Sequence, residues 1–178
     1  MREFKKISKY EHDEEVKLPV RSTGKSAGYD LFAAEDILVP SYWYNLSQLF
    51  DETWDKEYTL EESAEEIKKH SLKPTFVPTG VKVYLEDDEE LELRSRSSVA
   101  TKNLLTLANG VGTIDADYVD NEDNEGHIMV ALFNISPYNI KIKKGDKIAQ
   151  GLIHKYIVTD SDEATAQRTG GFGSTGVQ

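Results

Sequence analysis

Short runs in which apolar and polar residues alternate, or in which apolar residues follow one another, recur along most of this chain. Turn-forming residues separate the runs. The runs lie at residues 29–33, 75–85, 90–93, 126–134, 139–142 and 147–158. Their lengths and spacing favour an antiparallel sandwich, barrel or jelly roll over alternating strand–helix–strand units. The pattern therefore predicts an all-β fold.

One stretch departs from this pattern, because residues 45–54 and 60–70 place apolar side chains at helical spacing. Thr59 and Glu62 have the Thr-x-x-Glu spacing of a capping box, which marks the start of a helix. A proline stands just before and just after the stretch, so residues 41–73 are expected to be an insertion with two short helices. Its aromatic side chains either pack inward over the core or form a surface that docks another protein.

Composition adds several limits to this picture. The chain has 178 residues, which suits one domain with added segments. Its formal net charge of -11 argues against binding nucleic acid along a broad surface, because that mode needs clustered Lys and Arg. The absence of cysteine excludes disulfides, thiolate zinc sites and cysteine nucleophiles. No run approaches the ~20 apolar residues of a membrane span, and the first residues lack the apolar core of a signal peptide, so a cytoplasmic protein is expected.

Two further segments are irregular. The acidic run at 120–125 reads most simply as a solvated loop tip, and its acids do not fall at the spacing of a calcium-binding EF-hand loop. Residues 165–178 are rich in glycine, a composition typical of a mobile tail. Phe172 and Arg168 in this tail could stack on a base and grip a phosphate, although many Gly-rich tails have no function. We expect a β domain over residues 1–164, which includes the insertion, followed by the tail.

Three internal segments carry residues suited to chemistry on a nucleotide. Asp30 follows Gly28 closely and offers a hard oxygen that suits magnesium. Arg96 lies among hydroxyl groups, and together these could hold the oxygens of a triphosphate. Residues 109–118 predict a turn-rich hairpin whose backbone groups could read the edge of a small base, and Asp115 within it is a candidate general base. Each segment alone has a plainer interpretation as a turn or a solvated strand end.

Five segments occur in a fixed order: AGYDL at 27–31, RSS at 96–98, NGVGTIDADY at 109–118, GDKIAQ at 145–150 and GGFGSTG at 170–176. In sequence and order they resemble the five motifs of the trimeric dUTPase family, and the match covers most of the chain outside the insertion. The resemblance implies a jelly-roll-like subunit of a homotrimer with active sites shared between chains. It also implies Mg²⁺-dependent hydrolysis of dUTP to dUMP and pyrophosphate, which keeps uracil out of DNA, with no membrane or stable nucleic-acid partner.

The resemblance further implies roles for individual residues. Asp30 would hold a water of the magnesium shell, and Asp115 would deprotonate the water that attacks the α-phosphorus. Tyr118 would pack under the deoxyribose and exclude a 2′-hydroxyl. Phosphate contacts are implied for Arg96, Ser97, Ser98 and Gln150. Uracil contacts are implied for the segment that contains Asn109, Gly112, Thr113 and Ile114. Substrate contacts from the tail are implied for Arg168, Gly171, Phe172, Gly173, Ser174 and Thr175.

The chain also departs from the family pattern in three places. Arg168 lies four residues before Phe172, where the family commonly has its arginine five residues before the ring, and Gln167 occupies that place. The family's usual Arg-Ser-Gly is Arg-Ser-Ser at 96–98. The insertion and the lengthened loop at 120–125 resemble those of phage-encoded members, some of which also bind a regulatory protein. A phage origin and such a partner are therefore hypotheses.

Two other functions stay open on the sequence alone. A relative of dCTP deaminase would share the fold but would need a glutamate base near residues 109–118, whereas Asp115 and the Gly-rich tail favour hydrolysis. A binding module or regulator that has lost catalysis is the alternative from a different functional class. The intact motifs argue against such a loss, but they leave room for a second, binding role.

Overall fold

The computed structural model describes residues 1–47, 57–69 and 73–165, and β-strands dominate this part of the chain. The strands are β1 (Glu3–Lys6), β2 (Val20–Arg21), β3 (Tyr29–Phe32), β4 (Ile37–Val39), β5 (Thr75–Pro78), β6 (Val81–Tyr84), β7 (Glu89–Ser95), β8 (Leu105–Leu107), β9 (Gly112–Asp115), β10 (Met129–Asn134), β11 (Ile140–Ile142) and β12 (Lys147–Lys155). The α-helices are α1 (Tyr42–Ser47), α2 (Leu60–Lys69) and α3 (Ser97–Asn103), and two short 3-10 turns span Ser8–Tyr10 and Ala116–Tyr118. The predicted all-β fold is confirmed.

The strands form one large sheet and three smaller ones. The large sheet has the order β2-β3-β12-β7-β9, a second sheet has the order β5-β10-β8, and β1-β6 and β11-β4 are pairs. Every pairing is antiparallel. Strand β12 lies at the centre of the large sheet, where Gln150 faces Asp30 on one side and Arg94 on the other. Residues far apart in sequence therefore meet across this strand.

One hydrophobic core joins the sheets. Alternation in β7 turns Leu91 and Leu93 into the core, while Glu92 between them is only partly covered. Strand β10 buries Val130 and Leu132 in the same way, and both belong to the same cluster as the leucines of β7. Burying one such side chain typically contributes about 1.5–3 kcal/mol, so this alternation fixes which face of each strand is left for function.

The insertion contains two helices, as predicted, but α1 begins at Tyr42 and not near residue 45. The capping box before α2 is confirmed, because the Thr59 N–H donates to Glu62 Oε2 at 2.9 Å and the Glu62 N–H donates to Thr59 Oγ1 at 3.2 Å. The predicted stretches that continue to residues 54 and 70 pass beyond Ser47 and Lys69 into residues outside the described ones.

The aromatic residues of α1 divide between the two orientations considered from the sequence. The Tyr42 ring packs on the ring of Phe133, with centroids 5.2 Å apart. Trp43 is 55% exposed, although its indole N–H donates to the Ile135 carbonyl at 2.9 Å. On α2, Leu60 is 92% exposed and Ile67 is also exposed. Part of the insertion therefore covers the β domain, and part presents apolar side chains at the surface.

One local prediction is wrong, and one predicted run divides into two strands. The segment at 109–118 is not a hairpin, because β8 pairs with β10 while β9 pairs with β7 in a different sheet. The predicted run at 75–85 is two strands, β5 and β6, which also belong to different sheets. Both connections cross from one sheet to another. Among the described residues, no helix combines the length and the apolar character needed to span a bilayer.

Candidate active site

Asp30 is the centre of a polar cluster at the middle of the large sheet. Its side chain is fully buried and accepts hydrogen bonds on both oxygens. Oδ2 accepts from Ser22 Oγ at 2.6 Å and from Lys147 Nζ at 2.7 Å. Oδ1 accepts from Arg96 Nε at 3.1 Å and from Gln150 Nε2 at 3.1 Å. These four donors come from three separate segments, since Lys147 and Gln150 both lie on β12, and they fill the roughly four lone-pair positions of a carboxylate.

The cluster keeps Asp30 ionised. Burial by itself raises the pKa of the Asp30 carboxyl, but hydrogen bonds from Lys147, Ser22, Gln150 and Arg96 together lower that pKa well below its usual range. Two of these donors carry a positive charge, so the buried anion is more than neutralised. The cluster therefore positions two cationic side chains, those of Arg96 and Lys147, beside the Asp30 carboxylate.

The second motif begins at Arg96 and continues into α3. Arg96 is partly exposed, and its guanidinium donates to Ser98 Oγ at 2.9 Å as well as to Asp30. Ser97 is exposed at the first position of the helix. Arg96, Ser98 and Lys147 line a cavity of about 450 Å³ that extends towards the turn between β11 and β12. This cavity has the size and the charge to take phosphate oxygens.

The backbone at residues 28 and 150 is what brings the motifs this close. Gln150 lies opposite Asp30 in the β3-β12 pairing, and its side chain crosses over Gly28. A Cβ atom at Gly28 would stand 3.3 Å from the Gln150 Cβ, which is tighter than ordinary packing. Glycine in the first motif therefore lets the glutamine of the fourth motif reach the aspartate.

The third motif lies along the edge of the large sheet, where β9 runs from Gly112 opposite Leu93 to Asp115 opposite Glu90. Asn109 stands in the crossing between β8 and β9, and its side-chain amide lies over Gly112. Along β9, Thr113 is exposed, Ile114 is buried and Asp115 is exposed. Asp115 also lines a second cavity of about 450 Å³, together with Asp87, Asp117 and Tyr156. An exposed carboxylate beside a cavity can take a proton from a bound water.

Tyr118 is buried, whereas a side chain that packs against a sugar needs an accessible ring. It is only 6% exposed and belongs to the main hydrophobic core. Its hydroxyl donates to the His127 carbonyl at 3.2 Å and accepts from Asn124 Nδ2 at 2.8 Å. The hydroxyl is thus held within the chain, and only a small part of the ring is left to contact a ligand.

A large distance separates the two halves of the site within one chain. Asp115 lies opposite Glu90 in β7, whereas Arg96 directly follows the other end of that strand. At roughly 3.3 Å per residue, the segment from Glu90 to Arg96 spans about 20 Å. Asp115 and Arg96 therefore lie towards opposite ends of β7 in one chain.

Sequence reasoning missed two members of the Asp30 cluster. Lys147 stands inside the GDKIAQ segment without a predicted role, and Ser22 lies outside every motif. Lys147 Nζ also reaches Ser22 Oγ at 3.3 Å, so the two are linked to each other. Their partner Asp30 lies 117 residues from Lys147 along the chain, and no local pattern could reveal that contact.

Some predicted site residues cannot be placed. Arg168, Gly171, Phe172, Gly173, Ser174 and Thr175, with the alternative Gln167, lie outside the described residues. Within the described parts of the chain, no group of three or more His, Cys, Asp or Glu side chains is arranged to hold a metal ion.

Comparisons with known proteins agree on one family. Residues 58–176 match the family model described as dUTPase. The chain is 36% identical over 178 residues to the deoxyuridine 5'-triphosphate nucleotidohydrolase of Lactococcus lactis subsp. lactis, covering 99% of this chain and 98% of that protein.

Solved structures extend this likeness to the fold. The dUTPase of Streptococcus mutans matches with a TM-score of 0.68 and 31% identity, covering 89% of this chain and 98% of that one. The dUTPase from phage phi11 of S. aureus, in a structure that describes a structural Mg(II) ion, matches with a TM-score of 0.59 over 93% of this chain and 97% of that one. At 19% identity, the phage enzyme supports the fold alone.

Proposed function

This chain belongs to the dUTPase family, and we propose that it cleaves dUTP by a magnesium-assisted attack of water on the α-phosphorus. In this reaction a new bond forms between the water oxygen and the α-phosphorus while the bond to the α,β-bridging oxygen breaks. The products are dUMP and pyrophosphate, and the water proton passes to a general base. The reaction therefore needs groups that bind the phosphates, groups that bind the nucleoside and one group that accepts a proton.

The observation that carries the proposal is the convergence of three motifs on Asp30. Arg96 and Gln150, two of the residues proposed to contact the phosphates, both donate to Asp30 Oδ1. Lys147 and Ser22 hold the other oxygen. A protein with a net charge of -11 needs such a local concentration of cations to bind a triphosphate.

Substrate binding would redistribute these contacts. Arg96 is partly exposed and borders the cavity with Ser98, so its guanidinium can turn from Asp30 to a phosphate oxygen. Gln150 is also only partly buried. When both engage the substrate, Oδ1 of Asp30 loses its two donors, whereas Oδ2 stays fixed by Ser22 and Lys147. Binding of the triphosphate would thereby free Oδ1 of Asp30, while the carboxylate keeps its position through Oδ2.

Magnesium suits this site because Asp30 is ionised and offers a hard oxygen, and because magnesium typically binds through one or two carboxylates and substrate phosphates while keeping several waters. We propose that Asp30 holds a water of the magnesium shell. When bound, the ion would offset the charge of the phosphates and of the pyrophosphate that leaves.

Asp115 is proposed as the general base. It is exposed on β9 next to a cavity, directly after the segment proposed to read uracil through Asn109, Gly112, Thr113 and Ile114. Tyr118 follows three residues later in the chain and is proposed to pack under the deoxyribose. This arrangement would place the proposed general base at one end of β7 and the phosphate contacts at the other.

The separation of about 20 Å between these ends supports a shared site. We propose that the protein is a homotrimer in which Asp115 of one chain meets Arg96 and Asp30 of another. Cyclic assembly brings the opposite ends of identical subunits together at each interface, which is the geometry that this division requires. The tail residues 165–178 are proposed to contribute the remaining substrate contacts through Phe172, Ser174, Thr175 and Arg168.

A second role, binding of a regulatory protein, is proposed for the insertion. Leu60 and Ile67 lie on one face of α2 and are exposed, and Trp43 on α1 is more than half exposed. Exposed apolar side chains on an amphipathic helix are typical of helices that dock into a partner. This role is separate from hydrolysis, because the insertion holds none of the five motifs.

The hydrolytic function is tested by measuring pyrophosphate release from dUTP and the eight common nucleoside triphosphates, with and without magnesium. We expect release from dUTP far above that from dCTP, dTTP and UTP, and strong dependence on magnesium. Similar rates with dCTP and dUTP would contradict uracil recognition. Ammonia release from dCTP without pyrophosphate would instead favour the deaminase alternative.

A further inference from the structure

The loop that follows Tyr118 wraps around this side chain. Asn124 Nδ2 donates to the Tyr118 hydroxyl at 2.8 Å, and the hydroxyl in turn donates to the His127 carbonyl at 3.2 Å. Asn121 Nδ2 donates to the Tyr118 carbonyl at 2.7 Å. The ring and the backbone of Tyr118 are therefore both held by one short stretch of chain.

The two asparagines also hold each other. Asn121 Nδ2 donates to Asn124 Oδ1 at 2.9 Å, and the same oxygen accepts from the Gly126 N–H at 3.0 Å. Asn121 Oδ1 accepts from the N–H groups of Asp123 and Asn124, each at 3.1 Å. This network fixes which atom of the Asn124 amide faces the tyrosine, since the oxygen already has two donors.

The loop is closed against Tyr118 and tied to the β1-β6 side of the molecule. Gly126 has a φ of +77°, and a Cβ atom there would lie 2.7 Å from Val119 Cα and 2.9 Å from the Tyr118 carbonyl oxygen. Only glycine allows this approach. At its two ends, Asp120 accepts from Tyr84 at 2.8 Å and Glu125 accepts from the Ser8 N–H at 3.0 Å.

We propose that this loop is a positioning element for sugar recognition, in which Asn124 sets the Tyr118 ring against the deoxyribose. The inference rests on the proposed role of Tyr118 in the hydrolysis of dUTP. Because the hydroxyl is tied back to Asn124 and His127, the sugar meets only the ring. A ring edge excludes a 2′-hydroxyl by close contact, so a small shift of the Tyr118 ring changes the exclusion. Without a hydrogen bond to hold its hydroxyl, the ring should therefore discriminate less well between deoxyribose and ribose.

The acidic run at 120–125 thus has a proposed role in positioning Tyr118, which its composition alone does not indicate. Glu122 and Asp123 are exposed, as expected for a solvated loop, while the two asparagines turn inward. The charged side chains face water, and the asparagine amides donate hydrogen bonds to the hydroxyl and the carbonyl of Tyr118. The loop therefore acts on the substrate through Tyr118 and does not itself contact it.

The test compares kcat/KM for dUTP with kcat/KM for UTP in Asn124→Ala, Tyr118→Phe and the double variant. Both single changes remove the hydrogen bond between Asn124 and the Tyr118 hydroxyl. Tyr118→Phe also removes the bond to the His127 carbonyl, and Asn124→Ala also removes the bonds that Asn124 Oδ1 accepts. A hydrogen bond of this kind typically corresponds to about 3- to 10-fold in an equilibrium, so we expect the dUTP-to-UTP ratio to fall by about that factor in each. The double variant should fall no further than the singles. Glu122→Ala, an exposed change in the same loop, should keep the wild-type ratio.

The ratio compares two substrates in the same protein, so a loss of stability alone would not change it. If Asn124→Ala does not fold, Tyr118→Phe, which keeps the loop amides, carries the same prediction. An unchanged ratio in Tyr118→Phe, or additive losses in the double variant, would overturn the inference.

Tyr118→Leu tests the proposed role of Tyr118 separately from the role of the loop. If the dUTP-to-UTP ratio is unchanged in that folded variant, Tyr118 does not recognise the sugar at all. If Tyr118→Leu lowers the dUTP-to-UTP ratio strongly while Asn124→Ala and Tyr118→Phe keep the wild-type ratio, Tyr118 recognises the sugar but the loop does not position it.

Discussion

His127 is a single residue that links the stability of the fold to pH. Its Nε2 accepts a hydrogen bond from the Gly80 N–H at 2.9 Å, which requires a neutral ring. Burial, with a smaller contribution from Lys9, lowers the pKa of His127 from 6.5 to about 4. Between these two values the unfolded chain binds a proton that the folded chain does not, so the free energy of unfolding should decrease as pH falls through this range.

The His127→Gln variant isolates this effect. Glutamine can accept from Gly80 and does not titrate, so the variant should lose less stability than wild type between pH 6.5 and pH 4. Thermal unfolding at several pH values would measure the difference. Parallel curves for the two proteins over that interval would show that His127 is protonated in the folded chain and that the assignment of a neutral ring is wrong.

Asp115 allows the most direct test of a single catalytic group. Asp115→Asn keeps the shape of the side chain but cannot take the proton of the attacking water. We expect nearly unchanged binding of a non-hydrolysable dUTP analogue and a loss of turnover of about 10²–10⁴-fold, as is typical for removal of a general base. Turnover close to wild type would exclude Asp115 from that role.

The residues of the site differ in how far the sequence could reveal them. Asp30, Arg96 and Gln150 lie in motifs that are recognisable in the sequence, and the structure brings these three together. Ser22 and Lys147 complete the cluster through contacts that follow only from strand pairing. The burial of Tyr118 was also not predicted, because it depends on Asn124 and His127 in a loop whose composition suggests only solvation.

At the scale of elements, the insertion shows which local signals are reliable. Helix α2 and its capping box were predicted because the hydrogen bonds involved lie within four residues of each other. Helix α3 was not predicted, because Ser97–Asn103 is short and mostly polar. The hairpin predicted at 109–118 is wrong for a different reason: which strands pair is decided by partners far away in sequence, and a turn looks the same whether its strands join one sheet or two.

The insertion at residues 41–73 should be dispensable for hydrolysis. It connects β4 to β5 and holds none of the motif residues, and α2 presents apolar side chains to the surface. Replacement by a short Gly/Ser loop should leave kcat/KM for dUTP within about 2- to 3-fold of wild type, or ~0.5 kcal/mol, because the insertion holds none of the residues proposed to act on the substrate. Loss of the Tyr42 contact with Phe133 and of the buried Ser41 should lower the stability of the fold without changing this value.

The control for this replacement is a variant that keeps the insertion but changes its surface, Leu60→Ser with Ile67→Ser. It should also hydrolyse dUTP normally, and loss of binding to a partner protein in this variant would place the docking surface on α2. A shortened protein that assembles normally but cannot hydrolyse dUTP would instead place the insertion in the active site.

At the scale of the whole molecule, the distance between the two ends of β7 determines how the protein can work. The strand register places Asp115 and Arg96 about 20 Å apart in one chain, whereas the proposed reaction requires both near one substrate. The resemblance to a trimeric family predicted shared sites, and the strand register gives that expectation a physical reason. The sequence alone could not supply this distance, because the pairing of Glu90 with Asp115 is a property of the sheet.

Complementation between two inactive variants measures the sharing of sites directly. Asp115→Asn chains lack the proposed base, and Arg96→Gln chains lack the proposed phosphate contact while retaining an amide that can donate to Asp30. Mixed in equal amounts and allowed to exchange subunits, they should regain about a quarter of the wild-type turnover per site, because about a quarter of the sites would draw both intact residues from different chains. If native mass spectrometry confirms mixed oligomers and no activity returns, each site lies within a single chain, and the proposal of shared active sites is contradicted.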